Sequence, residues 1–283
     1  MRLSVQHKTE YRYPEPVHSN ANELRLIPRT SKRQKLVSNM VTVIPATRLK
    51  HYEDLNQNLV HYFEVQRPHN KLDINCQIVV ETFARVDYAS LPYGFSHSDL
   101  GRCQKMEDCH PYLQDSSLVE ITPEAWRQAL DCKGDSEDVF QTAYAIMEYI
   151  FNEFSYQSST TSVTTHANTV LLNKTGVCQD FAHAMIAMCR SIKIPARYVS
   201  GYFYDSTRGA GLRGSEASHA WVEVYIDGHG WIGLDPTNNK VVDETYIILA
   251  TGRDYKDVTP VKGSYIGTQY SYMSISVSVD KVE

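Results

Sequence analysis

The chain has 283 residues, 42% of them hydrophobic, which is enough for one large domain or two ordinary domains with real cores. Its formal net charge of -5, with 22% charged residues, is mild, and no run of lysines and arginines is present that could follow a phosphate backbone. The composition therefore predicts a globular protein and argues against nucleic acid as a partner.

The first thirteen residues alternate polar and apolar side chains and lack the continuous apolar core of a secretory signal. No later stretch is long and apolar enough to span a bilayer, so we expect a cytoplasmic protein without a membrane partner. The six cysteines form no CxxC pair, and a chain of this size does not need a disulfide framework. Most of them are predicted to be reduced thiols.

Residues 1–84 show the period of two that is typical of strands, which predicts an antiparallel β domain. Pro14 and Pro16 are expected to interrupt its first strand pair, because proline has no N–H for a sheet ladder. Residues 87–117, with mixed charges, glycines and prolines, indicate an irregular connector. We therefore predict an N-terminal β domain with its connector over residues 1–110 and a second domain with a C-terminal β extension over residues 111–283.

Three helices are predicted between residues 122 and 195. The first begins at Thr122, which precedes Pro123 in the first-turn position where a missing N–H costs nothing, and Gly134 follows as a stop. The second is expected to be capped by Ser136, and its apolar stripe continues to about Glu153. The third should begin at Cys178 and end before Pro195.

A β-prone segment at 197–202 precedes a hairpin, in which residues 219–226 pair with residues 231–235. A four-residue loop would place Asp235 opposite Val222, on the face of the sheet away from His219. A three-residue loop or a bulge would instead put both side chains on one face. We therefore predict a positive φ at Gly228 or Gly230.

Three short segments each place a reactive group at the end of an element. Cys178 opens a helix, where unpaired amides and the helix dipole favour thiolate over thiol. His219 opens a strand and can supply both the acid and the base that a thiolate mechanism needs near neutral pH. Asp235 closes the neighbouring strand and can fix the orientation and tautomer of the imidazole.

These segments, together with Phe181-Ala182-His183 and residues 195–202, resemble the bacterial transglutaminase-like superfamily. The resemblance is strong over residues 136–237 and extends to the segments 5–29 and 252–263. It implies an α+β fold in which a papain-related catalytic domain, with helices packed on an antiparallel sheet, follows an N-terminal antiparallel β domain. It also implies that Cys178 is the nucleophile, His219 the general acid and base, and Asp235 the orienting carboxylate.

Several neighbouring residues have competing interpretations. His183 is a rival base one turn beyond Cys178, although a packed or solvated helix residue is the favoured interpretation. Asp180 is interpreted as a structural residue of the first helical turn. Gln179 is a possible oxyanion donor beside the backbone amide of Cys178.

Three other features also have competing interpretations. Cys103, Cys109 and His110 lack the paired spacing and fourth ligand of a zinc site, so neither a metal nor another cofactor is predicted. Residues 205–218 contain three glycines and form either a mobile lid or a plain connector. The aromatic residues near the expected site are candidates for a substrate groove or for ordinary core: Tyr198, Tyr202, Trp221 and Trp231.

The resemblance predicts acyl transfer through a thioester on an amide bond of a protein or peptide substrate. Hydrolysis is the preferred outcome, because water needs no dedicated second binding site. Transfer to an amine, as in a protein-glutamine acyltransferase, is the alternative, and so is a binding module that retains the fold without turnover. No EF-hand-like run of acidic ligands is present, so no calcium dependence is expected.

Overall fold

The structure is a computed structural model, and it describes residues 1–83, 91–157, 162–205 and 218–282. The described residues form two antiparallel sheets, a short parallel strand pair and six α-helices. This is the predicted α+β architecture, with a sheet-rich N-terminal region followed by helices on a second sheet. No helix among the described residues is long and apolar enough to cross a bilayer.

The first sheet has seven strands. In chain order they are β1 (Arg2–Leu24), β2 (Gln34–Ile44), β3 (Lys50–Glu53), β4 (Leu59–Val65), β5 (His69–Thr82), β13 (Val261–Ile266) and β14 (Tyr272–Lys281). Strand β1 is central, because β5, β4, β13 and β14 all pair with parts of it. The C-terminal segment of the chain therefore completes the sheet that the N-terminal segment begins.

Pro14 and Pro16 interrupt the pairing of β1 with β5, as expected, but they do not end the strand. Strand β1 continues through both prolines, and its pairing with β5 shifts register between Arg12 and Val17. An irregularity of this kind leaves positions in the strand without a ladder hydrogen bond, so it accommodates residues that cannot donate one.

The helices are α1 (Leu100–Cys103), α2 (Pro123–Lys133), α3 (Val139–Glu153), α4 (Ala167–Asn173), α5 (Cys178–Ser191) and α6 (Tyr255–Val258). The predicted bounds of α2, the end of α3 and the start of α5 are confirmed, whereas α4 was not predicted. The cap of α3 is Asp138, whose carboxylate accepts from the Gln141 N–H at 2.8 Å, and not Ser136. Asp138 accepts better because it is a charged acceptor next to the first turn.

The second sheet contains β8 (Ala196–Phe203), β9 (His219–Ile226), β10 (Gly230–Asp235), β11 (Lys240–Val241) and β12 (Tyr246–Gly252), in the order β11-β10-β9-β8-β12. One face packs on the helices, where Val222, Val224 and Leu234 join the buried residues of α5. Near its other face, Tyr202, Ile247 and Leu249 belong to the core of the first sheet. The parallel pair is β6 (Ser155–Tyr156) and β7 (Thr175–Gly176).

Candidate functional site

The hairpin of β9 and β10 sets the geometry of the site. Its loop consists of residues 227–229, and the pairing of Gly230 with Ile226 continues to Leu234 opposite Val222. Both Gly228 and Gly230 have positive φ, at 79° and 74°, so the predicted three-residue loop is confirmed. This odd loop length brings Asp235 onto the same face as His219.

His219 and Asp235 form a buried pair. Nε2 of His219 lies 2.7 Å from Oδ2 of Asp235, and the two residues are 1% and 0% exposed. The geometry assigns the Nε2 proton to this bond, with the imidazole as donor and the carboxylate as acceptor. The predicted partnership of the two side chains is therefore present in the fold.

The carboxylate of Asp235 is held by further donors that the sequence did not reveal. Oδ2 also accepts from Asn238 Nδ2 at 2.9 Å and from the Tyr246 hydroxyl at 2.8 Å, while Oδ1 accepts from the Thr237 N–H at 2.9 Å. Thr237 and Asn238 belong to the turn after β10, so a turn signal could have indicated them. Tyr246 comes from β12 at the far edge of the sheet, and no local pattern points to it.

These contacts shift both ionisation equilibria. Burial alone would lower the pKa of His219, but the charge and hydrogen bond of Asp235, helped by Cys178, outweigh burial and raise that pKa to about 10. Burial alone would raise the pKa of Asp235, but His219 and the Asn238 and Tyr246 donors lower it below its ordinary value. The pair is thus an imidazolium and a carboxylate at neutral pH.

Cys178 lies at the first position of α5, partly buried against the helical core. Its sulfur is close enough to His219 to contribute to the raised pKa of the ring. Nδ1 of that ring is buried and has no hydrogen-bond partner among the described residues. Because Asp235 occupies Nε2, Nδ1 is the ring nitrogen left for the sulfur. All three predicted residues therefore meet at one end of the second sheet.

The start of α5 is fixed by Asp180 and not by a side chain at the cap position. Oδ2 of Asp180 accepts from the Val177 N–H at 2.8 Å, which is the structural role predicted for it. A Cβ at Gly176 would lie 2.6 Å from Cβ of Asp180, so this approach requires glycine. The sequence Gly176-Val177-Cys178 is thereby fixed where the helix begins.

The rival residues have other roles. Nε2 of His183 accepts from the Tyr255 N–H at 3.1 Å, and burial lowers the pKa of His183 to about 4, so it is a neutral packed residue. Gln179 donates from Nε2 to the Val163 carbonyl at 3.2 Å. Tyr198, Tyr202 and Trp221 are buried core residues, at 2%, 0% and 0% exposed. Neither His183 nor Gln179 replaces His219 as the partner of Cys178.

Two further predictions concern other parts of the chain. Cys103 and Cys109 are buried free thiols, and the part of the chain that the structure describes contains no group of three or more side chains able to hold a metal ion. The proposed lid at residues 205–218 lies almost wholly outside the described residues, which resume at Ser218.

Comparison with known proteins gives the same fold and family. Residues 127–236 match the model of the transglutaminase-like superfamily, and residues 3–81 match the bacterial transglutaminase-like N-terminal region. The chain is 33% identical over 286 residues to an uncharacterized protein of Mycobacterium leprae, covering 99% of both chains. It is also 39% identical over 67 residues to the protein-glutamine gamma-glutamyltransferase of Pseudomonas aeruginosa, which is 23% of this chain and 10% of that protein.

Among solved structures, a candidate cysteine protease from Cytophaga hutchinsonii aligns over 100% of this chain and 91% of its own, with a TM-score of 0.80 and 22% identity. At that identity the likeness establishes the fold, including the N-terminal sheet. Together with the two matched family models and the full-length relative, it leads to one conclusion: this chain belongs to the transglutaminase-like superfamily.

Proposed function

We propose that the protein is a cysteine-dependent acyl-transfer enzyme that acts on an amide of a protein or peptide. The observation that carries this proposal is the buried His219–Asp235 pair at 2.7 Å, with Nδ1 of His219 left for the thiol at the start of α5. An imidazole oriented by a carboxylate and placed beside a helix-terminal cysteine is the arrangement that nucleophilic thiol catalysis requires.

In the first half-reaction, the Cys178 thiolate attacks the amide carbon and a C–S bond forms. The backbone N–H groups at the N-terminus of α5, which is the positive end of the helix dipole, stabilise the developing oxyanion. Protonated His219 then gives its Nδ1 proton to the departing nitrogen, the C–N bond breaks, and an amine leaves a thioester behind. The raised pKa of His219, about 10, keeps the ring protonated for this step at neutral pH.

In the second half-reaction, the now neutral His219 takes a proton from the acceptor through Nδ1. The acceptor oxygen or nitrogen attacks the thioester carbon, the C–S bond breaks, and the thiolate is restored. Asp235 stays ionised throughout and keeps Nε2–H directed at itself, so Nδ1 faces the sulfur in both halves.

We propose water as the usual acceptor, which makes the protein an amidase or peptidase. Water needs no binding site of its own, and the candidate cysteine protease of Cytophaga hutchinsonii shares the whole fold. Transfer to an amine is the second candidate, supported by the 67-residue match to a protein-glutamine gamma-glutamyltransferase.

The test combines both acceptors in one reaction. A library of glutamine-containing peptides is incubated with the protein in heavy-oxygen water with an isotope-labelled primary amine, and the products are read by mass spectrometry. Hydrolysis gives acids that carry heavy oxygen, whereas transfer gives amides that carry the label. Label incorporation in excess of acid product would replace the hydrolase proposal with a transferase.

The matched variants are Cys178→Ala and Cys132→Ala, because both cysteines are partly buried free thiols at helix positions. Loss of the nucleophile should lower turnover by about a thousandfold or more, while Cys132→Ala should leave it unchanged. Product formation by Cys178→Ala at the native rate would contradict the whole proposal. His219→Ala should behave like Cys178→Ala.

A further inference from the structure

A cavity of about 320 Å³ lies between the first sheet and the second, away from Cys178, His219 and Asp235. Residues 29–34 and 56–58, which connect strands of the first sheet, form one side. Side chains of β8, β9, β10 and β12 form the other. Cavities of this size hold small organic ligands.

The lining is rich in positive charge. Among the described residues, four cationic side chains contribute to it, Arg29, Lys32, Arg33 and Arg197, against the lining carboxylate of Glu223, and Arg29 also pairs at 3.3 Å with Glu53. Glu223 is only 1% exposed and forms ion pairs with two arginines. It pairs with Arg33 on one oxygen and with Arg197 on the other, at 2.8 Å to Nε and 2.6 Å to Nη2. The cavity therefore has cationic charge beyond what its own carboxylate neutralises.

The cationic groups keep hydrogen-bonding capacity for a ligand. A guanidinium has five N–H donors on three nitrogens, and the Arg33 ion pair uses only Nη1. The Arg197 guanidinium stacks over the Trp231 ring, 4.3 Å from its centroid, so its plane is fixed at the cavity wall. Lys32 is exposed where the cavity meets solvent.

Hydrogen bonds join the two sides of the cavity without a ligand. The Gln34 side chain donates to the Ile248 carbonyl at 2.7 Å and accepts from the Ile248 N–H at 2.8 Å. The Asn58 side chain makes the same double contact with Thr251, at 2.9 Å and 2.8 Å. These two amides fix the connections of the first sheet to β12, so the site is preformed, and preformed sites lose less entropy on binding.

We propose that this cavity binds a small organic anion, a carboxylate or a phosphate monoester that carries a compact apolar group. The anion contacts Arg33 and Lys32, which offer charge-assisted hydrogen bonds. The apolar group lies against Trp231, Ile248 and Leu249, which supply the apolar part of the lining. This binding does not depend on the function proposed for Cys178.

Benzoate, phenyl phosphate and the neutral benzamide are titrated at constant ionic strength into the full-length protein, with tryptophan fluorescence and calorimetry as readouts. Benzoate and phenyl phosphate should bind and benzamide should not. The tighter of the two anions identifies the preferred headgroup. Trp231→Phe should remove the fluorescence change, which places the signal at this cavity.

The variants assign the contacts. Arg33→Gln should raise the dissociation constant by about tenfold, and Lys32→Gln by about threefold, because a hydrogen bond to a charged group is stronger when it is shielded from water. Lys32 is exposed, so its variant folds even if Arg33→Gln, which removes one of the two arginines paired with the buried Glu223, does not. Arg127→Gln is the matched control, since Arg127 pairs with Glu124 and Asp131 on the surface of α2.

The proposal is overturned by any of three results: no heat or fluorescence change with either anion at millimolar concentration, equal binding of benzamide, or unchanged affinity in both Lys32→Gln and Arg33→Gln.

Discussion

At the scale of single residues, the contact between His219 and Asp235 decides the chemistry of the site. Both groups are buried, and burial opposes charge on each of them. Each carries its charge only because the other is present, with Asn238 and Tyr246 supporting the carboxylate. The pair is therefore a source of stability that depends on pH.

The first prediction concerns the free energy of unfolding of Asp235→Asn. The raised pKa of His219 means that the ring's contribution to stability is complete below pH 6.5 and is lost as pH rises through about 10. The lowered pKa of Asp235 means that its contribution is present above pH 3.8 and is lost in acid. Near pH 6 the variant should be less stable than the wild type by about 3 kcal/mol, because a buried charge loses its partner.

Urea unfolding of both proteins from pH 6 to pH 10 checks this. The difference between them should shrink steadily over that range. The matched control is Asp243→Asn, because Asp243 also has a lowered pKa but interacts with Thr245 and Lys240 and not with a histidine. A wild-type advantage over Asp235→Asn that stays constant up to pH 10 would show that the ring is neutral in the folded protein.

At the scale of elements, the first turn of α5 and the β9–β10 hairpin carry the site. The positive φ in the hairpin loop was predictable, because His219 and Asp235 share a face only if the loop is odd in length or contains a bulge, and either one favours a glycine with positive φ. The start of α5 was predictable from its apolar stripe and Pro195. Helix α4 was not, since its seven residues are too few for a clear helical period.

The second prediction concerns the approach of β7 to α5. Gly176→Ala would place a Cβ 2.6 Å from Cβ of Asp180 and should lower the free energy of unfolding by about 2 kcal/mol, because the cap of α5 must shift. It should also reduce turnover in the acyl-transfer assay, since Cys178 opens the same helix.

Gly101→Ala is the control for this substitution. Gly101 lies in α1, and its added Cβ would meet no described atom within 4 Å apart from its chain neighbours and the backbone of its own helix, so the variant should be neutral or slightly more stable. Thermal unfolding of the two variants side by side measures the difference. Equal effects of both substitutions would mean that the Asp180 cap tolerates the extra carbon.

At the scale of the whole molecule, the first and second sheets form a continuous buried contact. Tyr202 of β8 and Ile247 of β12 lie in the core of the first sheet, and the Tyr202 hydroxyl is 2.8 Å from Nδ1 of His7 on β1. Because β13 and β14 return to β1, strands of the first sheet both precede and follow the second sheet along the chain. The N-terminal region is thus part of one packed structure with the second sheet.

The third prediction uses His7 as a reporter of this contact. Burial lowers the pKa of His7 to about 4. As pH falls below 6.5, the His7 side chain therefore takes up a proton in the unfolded chain but stays neutral in the folded protein. Stability should therefore fall as pH decreases from 6.5 to 4. His7→Gln should remove about 2 kcal/mol of that acid loss.

Denaturant titrations at several pH values between 7 and 4 compare this variant with His18→Gln, which changes an exposed histidine on the same strand. The control should keep the wild-type slope. If His7→Gln also keeps that slope, the contact between the sheets opens before His7 becomes protonated.

The sequence by itself determined most of the local elements, because periodicity, caps and glycine positions act over a few neighbours. It indicated Cys178, His219 and Asp235 through the ends of the elements that carry them. Only the tertiary structure decided that Tyr246 supports Asp235 from the edge of the sheet, that β14 pairs with β1, and that Arg33 reaches Glu223 across 190 residues. Such contacts depend on how distant segments pack, and no local pattern in the chain encodes which segments meet.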